Sequence, residues 1–174
     1  MSAFEFFLAS SLEKVFADSR PKPLYDYTFN GLIGDRVAFQ LVYSVHGNHG
    51  RSPLPEFDVT VSGIDVPVRL RDVISVPSHY PVTDKRDKNY LRTAPGLYPD
   101  LLVPSSGKIK PVSDQFGSVW IDVDLSSAKA GNYRLCVAVR SESNTSLSKE
   151  LYADLEVIDC ELPGQKLIHT EWFH

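Results

Sequence analysis

The chain has 174 residues, of which 43% are apolar and 23% are charged, as in an ordinary globular domain. A net charge of -4 at pH 7 and a pI near 5.7 give no electrostatic reason to expect nucleic acid or an anionic membrane as a partner. Two cysteines, Cys136 and Cys160, are too few for a disulfide framework, which favours a reducing compartment.

The first residues lack the features of a targeting segment. Their apolar patch has no basic leader and is interrupted by Glu5, which is not typical of a signal peptide. No apolar run approaches the roughly 20 residues that a transmembrane helix needs. We therefore expect a cytoplasmic protein with no membrane partner.

Apolar and polar residues alternate along the first 71 residues, which predicts β-strands. The clearest alternation is at residues 36–45, where Val37, Phe39 and Leu41 share one face. Asn30-Gly31 predicts a turn before this strand. The predicted strands of this half are residues 4–9, 12–16, 25–29, 36–45, 57–62 and 66–71.

The alternation returns in the second half of the chain and predicts three more strands, at residues 119–125, 133–140 and 150–157. About nine strands with short connections, each with one apolar face, indicate two sheets packed face to face. The fold class is therefore all-β: an antiparallel β-sandwich of the immunoglobulin or fibronectin-III kind, over residues 1–160.

Between the two halves, residues 77–115 lose the alternation and are rich in Pro, Asp, Lys, Ser and Tyr. So long a connection in a compact domain is usually either functional or disordered. Its many large apolar side chains argue against disorder and predict one long ordered loop that packs on something. The expected contacts with a neighbouring domain or a ligand are Tyr90, Leu97, Tyr98 and Asp100.

Two apparent motifs have ordinary interpretations. Tyr133 and Cys136 resemble the late-strand signature of immunoglobulin domains, but a spacing of three puts them on opposite faces of a strand. We expect a free thiol and a corner role for the tyrosine, not a disulfide. His46 and His49 form an H-x-x-H pair, but two ligands in a glycine-rich loop are too few for a metal site.

The strand at residues 119–125 carries Trp120, Asp122 and Asp124 on its polar face. The two carboxylates are close enough to be considered as a catalytic pair, yet a solvated sheet face looks the same. An exposed Trp120 suits a contact with a neighbouring domain better than a sugar-stacking role, although both remain open. No catalytic set, phosphate loop or cofactor site is recognisable.

The C-terminal residues 161–174 predict a linker followed by the beginning of a new apolar segment that contains Trp172. A natural terminus is usually polar, so we expect this segment to be the truncated first strand of a following domain, with Trp172 as a further interdomain contact.

Four stretches together resemble one bacterial family, the domain of unknown function 4091, which is related to glycoside hydrolase family 123. They are Asn89-Tyr90-Leu91, residues 11–16, residues 162–173 and, as the most specific, Pro95-Gly96-Leu97-Tyr98-Pro99-Asp100-Leu101-Leu102. The resemblance implies an N-terminal β-sandwich followed by a (β/α)8 barrel. The barrel would act on N-acetylgalactosamine-containing glycans through an Asp-Glu pair, assisted by the acetamido group of the substrate.

That Asp-Glu pair would lie beyond His174, so no catalytic residue is assigned to this chain. The first hypothesis is a non-catalytic accessory domain that supports the barrel, its partner in the same polypeptide, and shapes the barrel's substrate cleft. The alternatives are a stand-alone carbohydrate-binding module with a glycan as its partner, and a structural interaction domain without a ligand.

Overall fold

The computed structural model describes residues 3–25, 28–47, 53–79, 89–164 and 166, and these contain ten strands and two short 3-10 turns. The strands are β1 (Ala3–Ser10), β2 (Thr28–Ile33), β3 (Arg36–His46), β4 (Phe57–Ser62), β5 (Val68–Ser78), β6 (Gly96–Pro104), β7 (Lys108–Ile109), β8 (Phe116–Asp124), β9 (Gly131–Arg140) and β10 (Lys149–Glu161). The all-β prediction is confirmed. Within the described ranges, no helix is long and apolar enough to cross a membrane.

The strands form two five-stranded sheets. Sheet I has the order β1-β3-β8-β5-β6, and sheet II has the order β2-β10-β9-β4-β7. Neighbouring strands are antiparallel except for β2, which lies parallel to β10 at the edge of sheet II. This arrangement confirms the predicted β-sandwich.

The core lies between the sheets and is built by the alternation that the sequence displays. Phe39 and Leu41 of β3, Ile121 of β8 and Leu135 of β9 have no solvent-accessible surface. Each such side chain contributes about 1.5–3 kcal/mol by its burial. The core therefore fixes which face of these strands points outward.

The prediction for Tyr133 and Cys136 is confirmed. The Tyr133 hydroxyl donates to the Lys129 carbonyl oxygen at 2.8 Å, which is the geometry of a tyrosine corner. Tyr133 packs against the core, whereas Cys136 lies on the opposite face of β9 as a free thiol.

The expectation of one loop over residues 77–115 is wrong, because β5 continues to Ser78 and residues 96–104 form β6. The pairing shifts between Ile74–Leu101 and Ser75–Pro99, so Asp100 is the extra residue of a β-bulge. This bulge and two prolines hide the alternation in the sequence. Proline is tolerated here because β6 is an edge strand. On its outer side there is no neighbouring strand in the sheet to which a backbone N–H would have to donate. Residues 80–88 lie outside the described part.

Smaller differences occur near the N-terminus. Residues 12–16 form a turn and irregular backbone rather than a strand. Asn30 and Gly31 lie inside β2, and not in a turn; a Cβ on Gly31 would come within 2.5 Å of a Leu125 methyl carbon. Tyr25 lies outside any strand and is exposed, and Tyr27 is not among the described residues.

Candidate functional site: a groove on the outer face of sheet I

Residues 11–22, here called the strap, cross the outer face of sheet I after β1 ends. Val15 of the strap packs with Phe7 and Ala9 of β1 and Val42 of β3 in a second apolar cluster, separate from the core. The outer face of this part of the sheet is therefore apolar and covered, unlike the solvated face that is usual for a sandwich.

Gln40 holds the strap in place from below. Its side chain is 2% exposed, and its amide nitrogen donates to the carbonyl oxygens of Ser10 at 2.9 Å and Glu13 at 2.8 Å. Its amide oxygen accepts from the buried Ser118 hydroxyl at 2.9 Å. A buried polar side chain is stable only when its groups are paired, and those of Gln40 are all paired. The bonds to Ser10 and Glu13 fix the path of the strap, and the bond to Ser118 ties Gln40 to β8.

The middle of the strap contacts β6 through one ion pair and one ring contact. The Lys14 ammonium lies 2.9 Å from a carboxylate oxygen of Asp100 and donates to the Pro99 carbonyl oxygen at 3.3 Å. The Phe16 ring meets the Tyr98 ring edge-on, with centroids 5.7 Å apart. These contacts join the strap to the bulged part of β6.

Arg92, in the segment that leads into β6, lies over the Phe16 ring. Its guanidinium carbon lies 3.9 Å from the ring centroid, a cation–π distance. The same guanidinium donates to both carboxylate oxygens of Asp18, at 3.0 and 2.6 Å. This bidentate bond lowers the pKa of Asp18 and raises that of Arg92, so both groups stay charged.

An open groove with two lobes lies between the strap and the β5–β6 pair. The first lobe has a volume of about 490 Å³ and is lined by Phe16, Tyr90, Arg92 and Tyr98, among others. The second has a volume of about 240 Å³ and is lined by Glu13, Gln40, Val73, Leu102 and Trp120, among others. Lys14, Pro99 and Asp100 line both lobes, so the ion pair stands where the lobes meet.

Trp120 and Asp122 are less exposed than the sequence suggests, and the expectation of a solvated Asp122 is wrong. Trp120 is half-buried, and its Nε1 donates to the Asp122 carboxylate at 2.8 Å. Asp122 is 5% exposed, and its second oxygen lies 3.1 Å from an Arg71 nitrogen, an ion pair outside hydrogen-bond alignment. The carboxylate thus orients the indole and balances the arginine.

Asp124 has a different structural role from Asp122. It is the N-cap of the 3-10 turn at Leu125–Ser127 and accepts from the Ser126 amide at 3.1 Å. Hydrogen bonds from the side chain and backbone of Ser126, and then from Arg36, lower the pKa of Asp124 to about 2.

Leu97 lies away from the groove. It lines a smaller cavity of about 160 Å³ together with Tyr43 and Val112. Burial, followed by the charge of Asp72, raises the pKa of Tyr43 to about 12. Leu97 is 53% exposed, so it is available for contact on this side of the domain.

An apolar surface lies next to Leu97 on the core-facing side of the β5–β6 pair. Ile74 pairs with Leu101 and Asp72 with Val103, so Ile74, Leu101 and Val103 share a face; we call these three the hairpin face. They are 44%, 49% and 38% exposed. Sheet II does not cover this part of sheet I.

The remaining candidates are outside the groove. His46 lies 3.2 Å from the Ser44 hydroxyl and 3.7 Å from the Asp114 carboxylate, while His49 and Trp172 are not among the described residues. Among the described residues, no group of three His, Cys, Asp or Glu side chains could hold a metal ion.

The structure therefore brings four of the six predicted contact residues to one groove: Tyr90, Tyr98, Asp100 and Trp120. Four further residues line the groove and were not predicted from the sequence: Lys14, Phe16, Gln40 and Arg92. One signal was present for Gln40, which stands between Ala38 and Val42 on the outer face of the strongest strand. The contacts of Lys14 and Arg92 join residues more than 70 positions apart and left no local signal.

No protein-family profile and no curated protein matches this chain. Among solved structures, it resembles a family 123 glycoside hydrolase from Clostridium perfringens, studied for glycolipid glycan hydrolysis, with a TM-score of 0.69 and 14% identity. The N-terminal domain of PorA and murine CRIg also match, but their TM-scores of 0.34 and 0.27 carry no argument. The hydrolase likeness covers 92% of this chain but only 28% of that enzyme, and it establishes a shared fold.

Proposed function

We propose that this chain is a non-catalytic accessory domain of a larger glycoside hydrolase of the 4091 family. The observation that carries the proposal is the fold shared with a minor part of a family 123 glycoside hydrolase, over nearly the whole of this chain. In that arrangement the domain supports a (β/α)8 barrel that forms a later part of the same polypeptide. The catalytic Asp-Glu pair and the N-acetylgalactosamine-containing substrate belong to the barrel, and the protein is cytoplasmic.

The hairpin face supports this role, because it is an apolar surface that the sandwich leaves uncovered. Together with Leu97, it exposes four large apolar side chains on one strand pair. Contiguous apolar surface of this kind marks interaction sites in soluble proteins. We assign it to the contact with the barrel, with Trp172 as a further contact. The linker and the first barrel strand, expected at residues 161–174, begin one residue later, because β10 includes Glu161.

The test is the coding sequence beyond codon 174, followed by expression of the whole polypeptide. We expect at least the roughly 250 further residues that a barrel needs. The whole polypeptide should release N-acetylgalactosamine from aryl N-acetyl-galactosaminides, whereas the 174-residue chain should not. A stop codon directly after His174 would contradict the proposal.

A second measurement addresses the hairpin face itself. Leu101→Ser and Val103→Ser should each weaken association between this chain and a separately expressed barrel. Ile158→Ser is the matched control, because Ile158 is also exposed, at 42%, but lies on β10 of the other sheet. If all three substitutions weakened association equally, the hairpin face would not be the contact with the barrel.

One alternative function has support from the groove. A carbohydrate-binding module needs aromatic side chains beside hydrogen-bonding groups, and the first lobe has Tyr90 beside Lys14 and Asp100. The two roles are compatible, since accessory binding and barrel support use different faces of β5 and β6. A purely structural domain without ligand is the third possibility.

A further inference from the structure

We propose that the two-lobed groove binds an uncharged oligosaccharide, with Tyr90 and Trp120 as the aromatic surfaces of its two lobes. In this assignment the Lys14–Asp100 pair supplies hydrogen bonds between the lobes. Such a site would add ligand binding to the accessory role. It can be tested independently of that role, because the 174-residue chain contains the whole groove.

The charges that line the groove favour a ligand without charge. The two cations of the first lobe are each paired with a carboxylate, Lys14 with Asp100 and Arg92 with Asp18. The second lobe adds the carboxylate of Glu13. An anionic ligand would have to displace a carboxylate from Lys14 or Arg92, and a cationic ligand would have to displace Lys14 from Asp100. Glu13, whose carboxylate accepts from the Lys22 amide at 3.1 Å, is a further obstacle to an anion.

The Lys14–Asp100 pair is accessible enough to contact a ligand without breaking. The two side chains are 46% and 69% exposed. A hydroxyl group both donates and accepts, so neighbouring hydroxyls of a sugar can donate to the carboxylate and accept from the ammonium. A polyhydroxylated ligand is therefore the chemical class that uses both members of the pair.

Hydrogen bonds fix the orientation of two of the aromatic side chains, Trp120 and Tyr98. The bond from Trp120 Nε1 to Asp122 sets the plane of the indole at the second lobe. In the first lobe, the Tyr98 hydroxyl donates to the Ala94 carbonyl oxygen at 2.6 Å and makes that ring a fixed wall. Tyr90 is 40% exposed and completes this lobe. A sugar ring has an apolar C–H face and a polar edge, and preorganised side chains of this kind suit both.

The experiment is a titration of the 15N-labelled 174-residue chain, observed by NMR. The ligands are four uncharged tetrasaccharides, built from glucose, galactose, N-acetylglucosamine or N-acetylgalactosamine. We expect at least one of them to shift the amide resonances of Lys14, Tyr98 and Asp100 in a saturable way. A sulfated heparin tetrasaccharide and an uncharged Leu/Pro decapeptide are the comparison ligands, and both should bind more weakly.

Variants then test the assignment to the groove. Tyr90→Ala should weaken binding of the uncharged tetrasaccharide about tenfold, which corresponds to about 1.4 kcal/mol. Tyr152→Ala is the matched control, because Tyr152 is 49% exposed but lies on β10 in sheet II, and it should leave binding unchanged. Both tyrosines are at the surface, so both variants should fold.

Four results would overturn the proposal: no saturable shift with any uncharged tetrasaccharide, tighter binding of the sulfated ligand, tighter binding of the peptide, or unchanged affinity in Tyr90→Ala. None of these results depends on a barrel. Conversely, a stop codon after His174 would contradict the accessory role and leave the titration unaffected.

Discussion

Gln40→Ala should destabilise the domain by detaching the strap from sheet I. The substitution removes three hydrogen bonds, to Ser10, Glu13 and Ser118. At about 1 kcal/mol for each bond, the free energy of unfolding should fall by roughly 3 kcal/mol. This is a large share of the 5–15 kcal/mol that is typical of a domain. In a chain of this length, the midpoint of thermal unfolding should fall by roughly 6–12 °C.

Urea unfolding followed by tryptophan fluorescence measures the change, with Gln115→Ala as the control. Gln115 is an exposed glutamine in a connection, and its loss should cost less than about 0.5 kcal/mol. A double-mutant cycle with Ser118→Ala should give a coupling near 1 kcal/mol, because the two side chains share a buried bond.

Hydrogen exchange distinguishes local release of the strap from global unfolding. The Leu24 amide donates to the Leu8 carbonyl oxygen at 2.8 Å, just after the strap, and should lose protection in Gln40→Ala. A loss of stability under about 1 kcal/mol together with unchanged exchange at Leu24 would be the contrary result. In that case, Gln40 would not hold the strap.

Three further predictions concern other parts of the fold. Gly63→Ala should cost more than about 2 kcal/mol, because φ is +104° and a Cβ would overlap the Arg134 carbonyl oxygen. Gly131→Ala, with φ of +145° and open space around it, should cost clearly less in the same urea assay. Stability should fall between pH 10 and 12, because Tyr43 ionises near 10 when unfolded and at about 12 when folded; Tyr43→Phe should remove that contribution. At low pH, Asp124 has the opposite effect: its folded pKa of about 2 lies below the unfolded value of 3.8, so stability should fall from pH 4 to 2, and Asp124→Asn should flatten that slope.

The β5–β6 pair illustrates where sequence reasoning fails in this protein. Residues 96–104 contain two prolines, Pro99 and Pro104, and Asp100 is the extra residue of a β-bulge. Their apolar side chains therefore do not alternate regularly along the sequence. A period-two pattern detects only strands with an unbroken register. The same irregularity is harmless in the fold, because an edge strand needs hydrogen bonds on one side only.

The site had a similar mixture of predicted and unpredicted parts. Tyr90, Tyr98 and Asp100 stood out in the sequence as large or charged groups in an unusual segment, and the structure places all three at one groove. Phe16 did not stand out, because a short apolar stretch near the N-terminus looks like a strand. Its position under Arg92 depends on a contact across 76 positions in the chain.

By itself, the sequence determined the sandwich, its core and the outward faces of most strands, because alternation of apolar residues requires one buried face for each strand. Tertiary structure alone decided that the outer face of sheet I is covered over β1 and β3 rather than solvated. That outcome depends on the strap turning back over β1 and β3, where Gln40 and the apolar cluster hold it. The groove follows from the same event, since one of its walls is the strap and the other is the β5–β6 pair. Contacts between residues so far apart are set by packing, and no local pattern in the chain encodes them.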